Sequence, residues 1–524
     1  MAQKTLSQKL LNNSDFWKGK NVLLPKYDRQ KTEITGLCFS PGRMGFGHLG
    51  DIVQDILDQG APAGLIAGIE TFSQDYYNTL AASDWLGTQM IYGDEKDVVT
   101  PKIQGAFGTI LFINNNEKTL AWNRLLDFAR DPKVQYATIN APEGAYGMVY
   151  HGGDFAEPVS QVVKGDMEQG TVNSDPAKWT RFALERYKAG LKFALVSCTN
   201  FSKNGYFTGA TVRTIAKAWE EKGFAPKGFV SYLMDPKQFS FPNCMIDRIA
   251  VNPDAKTFET LNALGINSSV VVTEETRYWA VEDVFPNGRP AFELAKGVFM
   301  CESFEEVKQY EDMKLRILNM SHSVIAGLGV LLGYRGNYGI YKAMQDKEIV
   351  DIINKIISIV IDTIDSPKKL NSRDFAKNAI ERLINPNIPD DPMRIAVNAS
   401  TKVLPRFMET FFEGRQKGIS EDRLKVILLP VAGFLRYTLG IDDKGEKYEL
   451  ETDPLKDLFI ECGKKVKVGD AASAKFFEPM ISDKSVMGEN LYHEGGLGAE
   501  LEKLAGRMLE GKDSVRKTLQ EYLK

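Results

Sequence analysis

The run Ile34-Thr35-Gly36-Leu37-Cys38-Phe39-Ser40-Pro41-Gly42-Arg43-Met44-Gly45-Phe46-Gly47-His48-Leu49-Gly50 reads as a strand, a glycine-rich loop and the start of a helix. Residues 34–40 are β-rich, and beyond the glycines Ile52, Val53, Ile56 and Leu57 recur at helical spacing. Working outward, residues 64–70, 108–113, 134–139 and 192–197 are further strand candidates, with helix-like segments at 118–129 and 179–189 separating the later ones. Strands that alternate with helices imply a mostly parallel sheet covered on both faces. From about residue 302 the β signal fades and helical patterns take over, at 304–334, 347–364, 372–383, 405–415, 420–439 and 500–523. The expected organisation is therefore an α/β domain over residues 31–300 and a mainly α-helical domain over residues 301–524. Residues 1–30 read as an extension before the first strand, and 440–499, rich in Gly, Asp and Lys, as loop-dominated.

Two domains suit a chain of 524 residues, which is long for one hydrophobic core. The net charge of -4 argues against nucleic acid and against an anionic membrane surface as partners. Five scattered cysteines without a CxxC pair fit reduced thiols better than a disulfide framework. With four histidines, no HExxH and no Cys/His cluster, no metal site is expected. The N-terminus lacks the apolar core of a signal peptide, and the apolar runs at 323–334 and 349–364 fall short of the roughly 20 residues needed to span a bilayer. A cytoplasmic protein is expected, a monomer or a small homo-oligomer.

Within the helical half, the segment from Lys314 to Gly333 places polar residues on an otherwise apolar pattern. On a straight helix at about 100° per residue, Glu311, His322 and Asn319 fall about 60°, 80° and 140° from Lys314, whereas Met313, Val324 and Leu331 lie on the far side. Ala326, Gly329 and Gly333 share the polar arc, and small residues there suit a cavity wall. A lysine buried in such a wall loses solvation in its charged form, which favours a role as a base. The same spacing also suits a core helix whose lysine reaches water and whose histidine donates to a carbonyl.

The words Gln309-Tyr310-Glu311-Asp312-Met313-Lys314-Leu315-Arg316-Ile317-Leu318-Asn319-Met320-Ser321-His322-Ser323 resemble the signature of the long-chain polyol and sugar-acid dehydrogenases, the mannitol dehydrogenase family. Supporting passages are Asp131-Pro132-Lys133-Val134 with Pro142-Glu143-Gly144-Ala145-Tyr146, then Ser197-Cys198-Thr199-Asn200 with Asn204-Gly205, Met245-Ile246-Asp247-Arg248-Ile249, and Gly288-Arg289-Pro290. The resemblance implies a Rossmann-type dinucleotide-binding domain followed by a mostly α-helical domain. It further implies Lys314 as general acid/base, Asn200 and Asn319 polarising the reacting oxygen, and His322 binding and orienting the substrate. Glu311, Asp247, Arg394 and Lys402 are then expected at the substrate, the last two gripping distal hydroxyls or a carboxylate. In the same region Asn385-Pro386 and Asp391 resemble family positions, and the passage ending in Lys402-Val403-Leu404-Pro405 has one residue more before proline than the family's pattern.

For the nucleotide, Gly45, Gly47 and Gly50 satisfy GxGxxG, although the motif begins several residues after the strand ends, and a structural glycine-rich turn is the alternative. Aligning Phe46 on the family's GxGxFHR instead puts Gly42 at the first glycine and Met44 at the second, where a side chain crowds a pyrophosphate unless the loop takes another path. The expected cofactor contacts are Gly42, Gly45, Phe46, Gly47, Glu70 and Glu143. Glu70 would accept from ribose hydroxyls and repel a 2'-phosphate, so NAD is expected over NADP. The implied activity interconverts a secondary alcohol and its ketone without a metal. A keto-sugar-acid reductase of the fructuronate type is expected first and a mannitol or other polyol 2-dehydrogenase second; a catalytically silent dinucleotide-binding protein is the alternative of another class.

Overall fold

The computed structural model describes residues 3–93, 95, 98–493 and 496–524. They form two compact units, one of residues 3–93 with 98–308 and one of residue 95 with 309–524.

In the first unit six parallel strands are β1 (Ile34–Phe39), β2 (Leu65–Glu70), β3 (Phe107–Phe112), β4 (Tyr136–Ile139), β5 (Phe193–Ser197) and β6 (Phe239–Ser240). Their lateral order is β6-β5-β4-β1-β2-β3. This is the doubly wound order, and the switch between β1 and β4 opens a crevice beyond the carboxyl ends of the strands. The five strands expected from the sequence are β1 to β5; β6, two residues long, is too short to carry a period. Helix α1 (residues 42–58) follows β1 after a turn at Ser40 and Pro41. The helices Leu120–Arg130, Asp175–Lys188 and Asn204–Glu221 bury Trp122, Trp179 and Trp219 in one apolar cluster with Phe39 and Phe193 of the sheet. The first two start where Thr119 and Ser174 accept from backbone amides of the opening turn.

A second sheet pairs Gly87–Tyr92 antiparallel with Val99–Gln104 and parallel with Ser269–Glu274. Residues 3–30 are built into this unit rather than appended to it. Lys4–Thr5 pairs with Ile266–Asn267, and the buried Arg29 donates to the carbonyls of Gly105 and Phe107, each at 2.7 Å. A two-residue strand and one cation on backbone carbonyls leave no periodic signature in the sequence.

The second unit is helical. Helix α2 (residues 304–331) begins within the first unit, its residues 304–308 clustering there, and runs on as the second unit's opening element. The helix Lys347–Thr363 starts at the Asp346 cap and buries Ile349, Ile352, Ile353, Ile356 and Val360 along one stripe. Residues 440–499 contain more structure than their composition suggests. Short helices at Lys456–Gly463, Glu478–Ile481 and Lys484–Met487 carry Phe459, Met480 and Val486 into the interior, but they are too short for a 3.6-residue period to be read. Among the described residues no helix is long and apolar enough to cross a membrane.

Candidate active site

Beyond β1 the chain turns at Ser40 and Gly42, both with positive φ (54° and 38°), and enters α1. A Cβ placed on Gly42 would meet nothing within 4 Å, so the backbone at the start of α1 is open to a ligand. Gly45, Phe46 and Gly47, expected at a phosphate, are buried and packed. They lie in a π-helical stretch, Gly45–Gly50, inside α1, where a Cβ on Gly45 would come 3.0 Å from Pro41 Cβ and one on Gly47 2.9 Å from Thr273 Cγ2. Phe46 stacks on Phe107 at 4.3 Å. Met44 is half-buried and packs against the apolar cluster that includes Leu49 and Val53. The open turn at Gly42 and the carboxylate of Glu70 are the features of this unit that fit a dinucleotide. Glu70 ends β2, and its Oε1 accepts from the amides of Phe72 and Ser73 at 2.8 and 2.9 Å, which fixes the carboxylate at the sheet's edge. Glu143 stands exposed in the turn after β4.

Asn200 follows β5 on an exposed bend. The preceding residue is tied down: Thr199 Oγ1 donates to the Ala141 carbonyl at 3.0 Å, and Asn204 Nδ2 donates to the carbonyls of Thr199 and Cys244 at 2.9 and 2.7 Å. Cys244 opens the strand Cys244–Asp247, so Asn204 couples the Asn200 bend to the strand that ends in the buried Asp247. The next residue, Arg248, is structural. Its guanidinium donates to the Gly47 carbonyl at 2.7 Å and pairs with Asp51 of α1, which Arg277 and Lys102 also hold. Burial alone would raise the Asp51 carboxyl, but these three cations keep it well below the usual carboxylate range. Arg289 pairs with Asp283 and Glu293 near the surface. These partners of both arginines lie within the first unit.

In the second unit, Glu311, Lys314, Asn319 and His322 are all buried on α2. Its backbone departs from the straight helix assumed above: residues Lys314–Asn319 form a π-helical stretch, ending where the Met320 amide donates to the Leu315 carbonyl five residues back. Closing each turn with one extra residue brings Asn319 back over Lys314, where the regular wheel sets it well to one side. Asn319 Nδ2 is buried and has no hydrogen-bond partner among the described residues. Such an orphan donor costs about 1–3 kcal/mol, so it marks a place where an acceptor is expected to bind. His322 Nδ1 lies 3.0 Å from the Leu318 carbonyl, which can only accept, so Nδ1 carries the proton and Nε2 is an acceptor. Burial holds the imidazole pKa down at about 4, helped by Arg394 and Arg406 and opposed by Asp390, so the ring is neutral at ordinary pH. Ala326 lines a cavity with Ser323 and Gly327, whereas Glu311, Lys314, Asn319 and His322 are not among the residues that line it; Gly329 packs against Ile325 and Ala343, and Gly333, with φ 93°, ends the helix.

Arg394 and Lys402 are both committed within the protein. The Arg394 fork binds Asp390 through Nε and Nη2 at 2.8 and 2.7 Å. Asp391 instead caps the helix Pro392–Ala396, accepting from the Met393 amide. Lys402 Nζ donates to the carbonyls of Ile395 and Val397, and burial with the nearby Arg406 and Arg394 pulls its pKa down to about 7. The extra residue before Pro405 coincides with another π-helical stretch, Leu404–Met408, at the point where proline supplies no amide hydrogen. From that stretch Arg406 donates Nη1 to the Asn319 carbonyl at 3.0 Å and to Ser323 Oγ at 2.7 Å. The sequence reading did not single out Arg406. Its position four residues after Lys402, on the same helical face, was the available signal. Among the described residues no group of three or more His, Cys, Asp or Glu side chains is placed to hold a metal ion.

Comparison with known proteins adds to this geometry. Residues 306–489 match the model of the mannitol dehydrogenase C-terminal domain. The chain is 31% identical to D-mannonate oxidoreductase of Thermotoga maritima, and the alignment covers 99% of each. Mannitol 2-dehydrogenase of Pseudomonas fluorescens, solved as a ternary complex with NAD and D-mannitol, superposes with a TM-score of 0.80 at 23% identity, over 99% of both chains. Substrate-free D-sorbitol dehydrogenase superposes equally well, with a TM-score of 0.80 at 22% identity over 98% of this chain and 100% of its own. These two likenesses carry the fold: a Rossmann-type α/β domain followed by a mainly helical one.

Proposed function

The chain belongs to the mannitol dehydrogenase family, and on that premise we propose that it is an NAD-dependent oxidoreductase. It interconverts a secondary alcohol of a sugar acid and the corresponding ketone, with reduction of a keto-sugar acid of the fructuronate type as the reaction it serves. Support for the sugar-acid choice comes from the relative named D-mannonate oxidoreductase, aligned over 99% of both chains. The observation that carries the chemistry is the unpartnered Asn319 amide, buried on the same π-helical stretch as Lys314.

Bound NAD supplies the hydride acceptor for oxidation, and NADH the donor for reduction. Lys314 takes the hydroxyl proton as the carbonyl forms and returns it in the reverse direction. Asn319 Nδ2 donates to the oxygen on which negative charge develops, and the family resemblance assigns Asn200 as the second donor. His322, neutral and fixed through Leu318, offers Nε2 to a substrate hydroxyl. Glu70 favours NAD by disfavouring a 2'-phosphate, and no metal is assigned a role. The cysteines described are all buried and free of disulfides, in keeping with a reducing, cytoplasmic setting.

The test is NADH consumption with a panel of keto-sugar acids and ketoses, D-fructuronate and D-fructose first, repeated with NADPH. Turnover with the acid and a preference for NADH are expected. Binding of NADH without oxidation across the panel would leave a silent dinucleotide-binding protein, and equal or better efficiency with NADPH would remove Glu70 from its role.

A further inference from the structure

The carboxylate of such a substrate needs a cation with free donors. Of the residues first expected to grip it, Arg394 is already paired with Asp390, and two backbone carbonyls take two of the three donors of the Lys402 ammonium. Arg406 is different. A guanidinium has five N–H donors; those on Nη1 go to Asn319 O and Ser323 Oγ, and among the described residues Nε and Nη2 make no hydrogen bond. Among the described residues no carboxylate pairs with it: Asp390 is bound by Arg394, and Asp453 accepts from the amide and hydroxyl of Ser400, at 2.9 and 2.6 Å. Ser323, which holds Arg406, lines with Ala326, Ala399, Lys402, Phe434 and Tyr437 a cavity within the second unit.

Resting on the reading above, we propose that Arg406 is the specificity-determining residue of this active site, its free Nε and Nη2 donors binding the carboxylate of a sugar-acid substrate bidentately beside Lys402. The electrostatics agree. Burial without an acidic neighbour pulls Arg406 down to about 9, and Lys402 is pulled down to about 7 partly by Arg406 itself. Arg406 thus carries its charge with no carboxylate hydrogen-bonded to it among the described residues, and a bound substrate carboxylate would supply one. Because the same guanidinium holds the Asn319 carbonyl and weighs on the His322 imidazole, the anion would be read next to the reacting oxygen.

The experiment measures binding of D-mannonate and its neutral counterpart D-mannitol to the NADH complex, where no hydride can move, by calorimetry on the full-length wild type, Arg406→Gln and Arg406→Lys. Wild type should bind mannonate more tightly than mannitol. Arg406→Gln should cut that preference by about ten- to a hundredfold, the loss of one charge-assisted contact. Arg406→Lys, which keeps the charge and loses the fork, should retain part of it. The proposal is overturned if wild type shows no preference, if Gln leaves the preference intact, or if both ligands weaken equally, as they would if Arg406 only braced Asn319. Should Gln fail to fold, an unchanged preference in Lys would overturn it as well. NADH consumption in the same preparations separates the two claims: an Arg406-dependent preference for mannonate without turnover sinks the dehydrogenase reading and leaves the anion subsite standing.

Discussion

Two π-helical stretches, Gly45–Gly50 in the first unit and Lys314–Asn319 in the second, share a backbone and differ in what they carry. The first holds glycines against Pro41, Cys38 and Thr273, and a histidine, His48, whose two ring nitrogens are buried without partners. The second holds a buried lysine and an asparagine whose amide is left open. The widened turn alone therefore does not mark chemistry. In α1 the extra residue lets a helix lie close to the sheet, and the orphaned His48 is kept neutral by burial and by Arg248 and Arg277, which leave it no charge to use. In α2 the extra residue per turn turns Asn319 toward the face that carries Lys314, which a regular helix would set farther apart. An orphan beside a proton acceptor is a site, whereas an orphan beside cations that only donate is a cost of packing.

The largest effect that would test this contrast is at Lys314. Lys314→Met keeps the stem and removes the proton acceptor, so turnover should fall by about 10²- to 10⁴-fold with folding and NADH binding retained. Near-normal turnover in a folded Lys314→Met protein would reduce the second stretch to a core helix, like the first. Gly47→Ala probes the other side. Its Cβ would press on Thr273 Cγ2, so stability in urea should fall by about 1–3 kcal/mol, offset in part by up to about 1 kcal/mol of helix propensity. The KM for NADH should change less than about twofold if Gly47 only packs; a tenfold rise would return it to the phosphate.

A further effect is in acid. Both buried histidines are neutral in the fold, His322 with its pKa held down at about 4 and His48 at about 3, against 6.5 when unfolded. The unfolded chain binds the extra protons first, so stability is full above pH 6.5 and falls as the pH drops toward 4, with His48 continuing the loss toward 3. Each histidine contributes at most about 1.4 kcal/mol per pH unit within its window. Because His48 touches Trp279 edge-on and makes no hydrogen bond, His48→Phe should be nearly neutral at pH 7 and should flatten the acid limb of the stability profile. An unchanged limb would mean that His48 is not buried in its neutral form.

Much was legible without coordinates. β1 to β5 show as short apolar runs because strands covered on both faces have no polar side, and the helical half shows because stripes such as Ile349–Val360 repeat at 3.6 residues. Lys314, Asn319 and His322 stood out because polar residues are costly on an apolar helix. What periodicity cannot carry was missed: Lys4–Thr5 and β6, too short to repeat, and the helices between 440 and 499.

Tertiary structure alone decided how the glycines and cations are used. GxGxxG reads alike whether its glycines face a phosphate or a sheet, and only the distance from Gly47 to Thr273 separates the two. Arg394, Lys402 and Arg406 are equal as letters, since a sequence records that a cation is present but not whether its donors are spent. Asp390 neutralises the first, two carbonyls take most of the second's donors, and among the described residues no acid is hydrogen-bonded to the third. Register within α2 was decided the same way: a π-helical turn depends on which carbonyl each amide finds, and that choice is made by packing against the rest of the unit rather than by the residues of the turn itself.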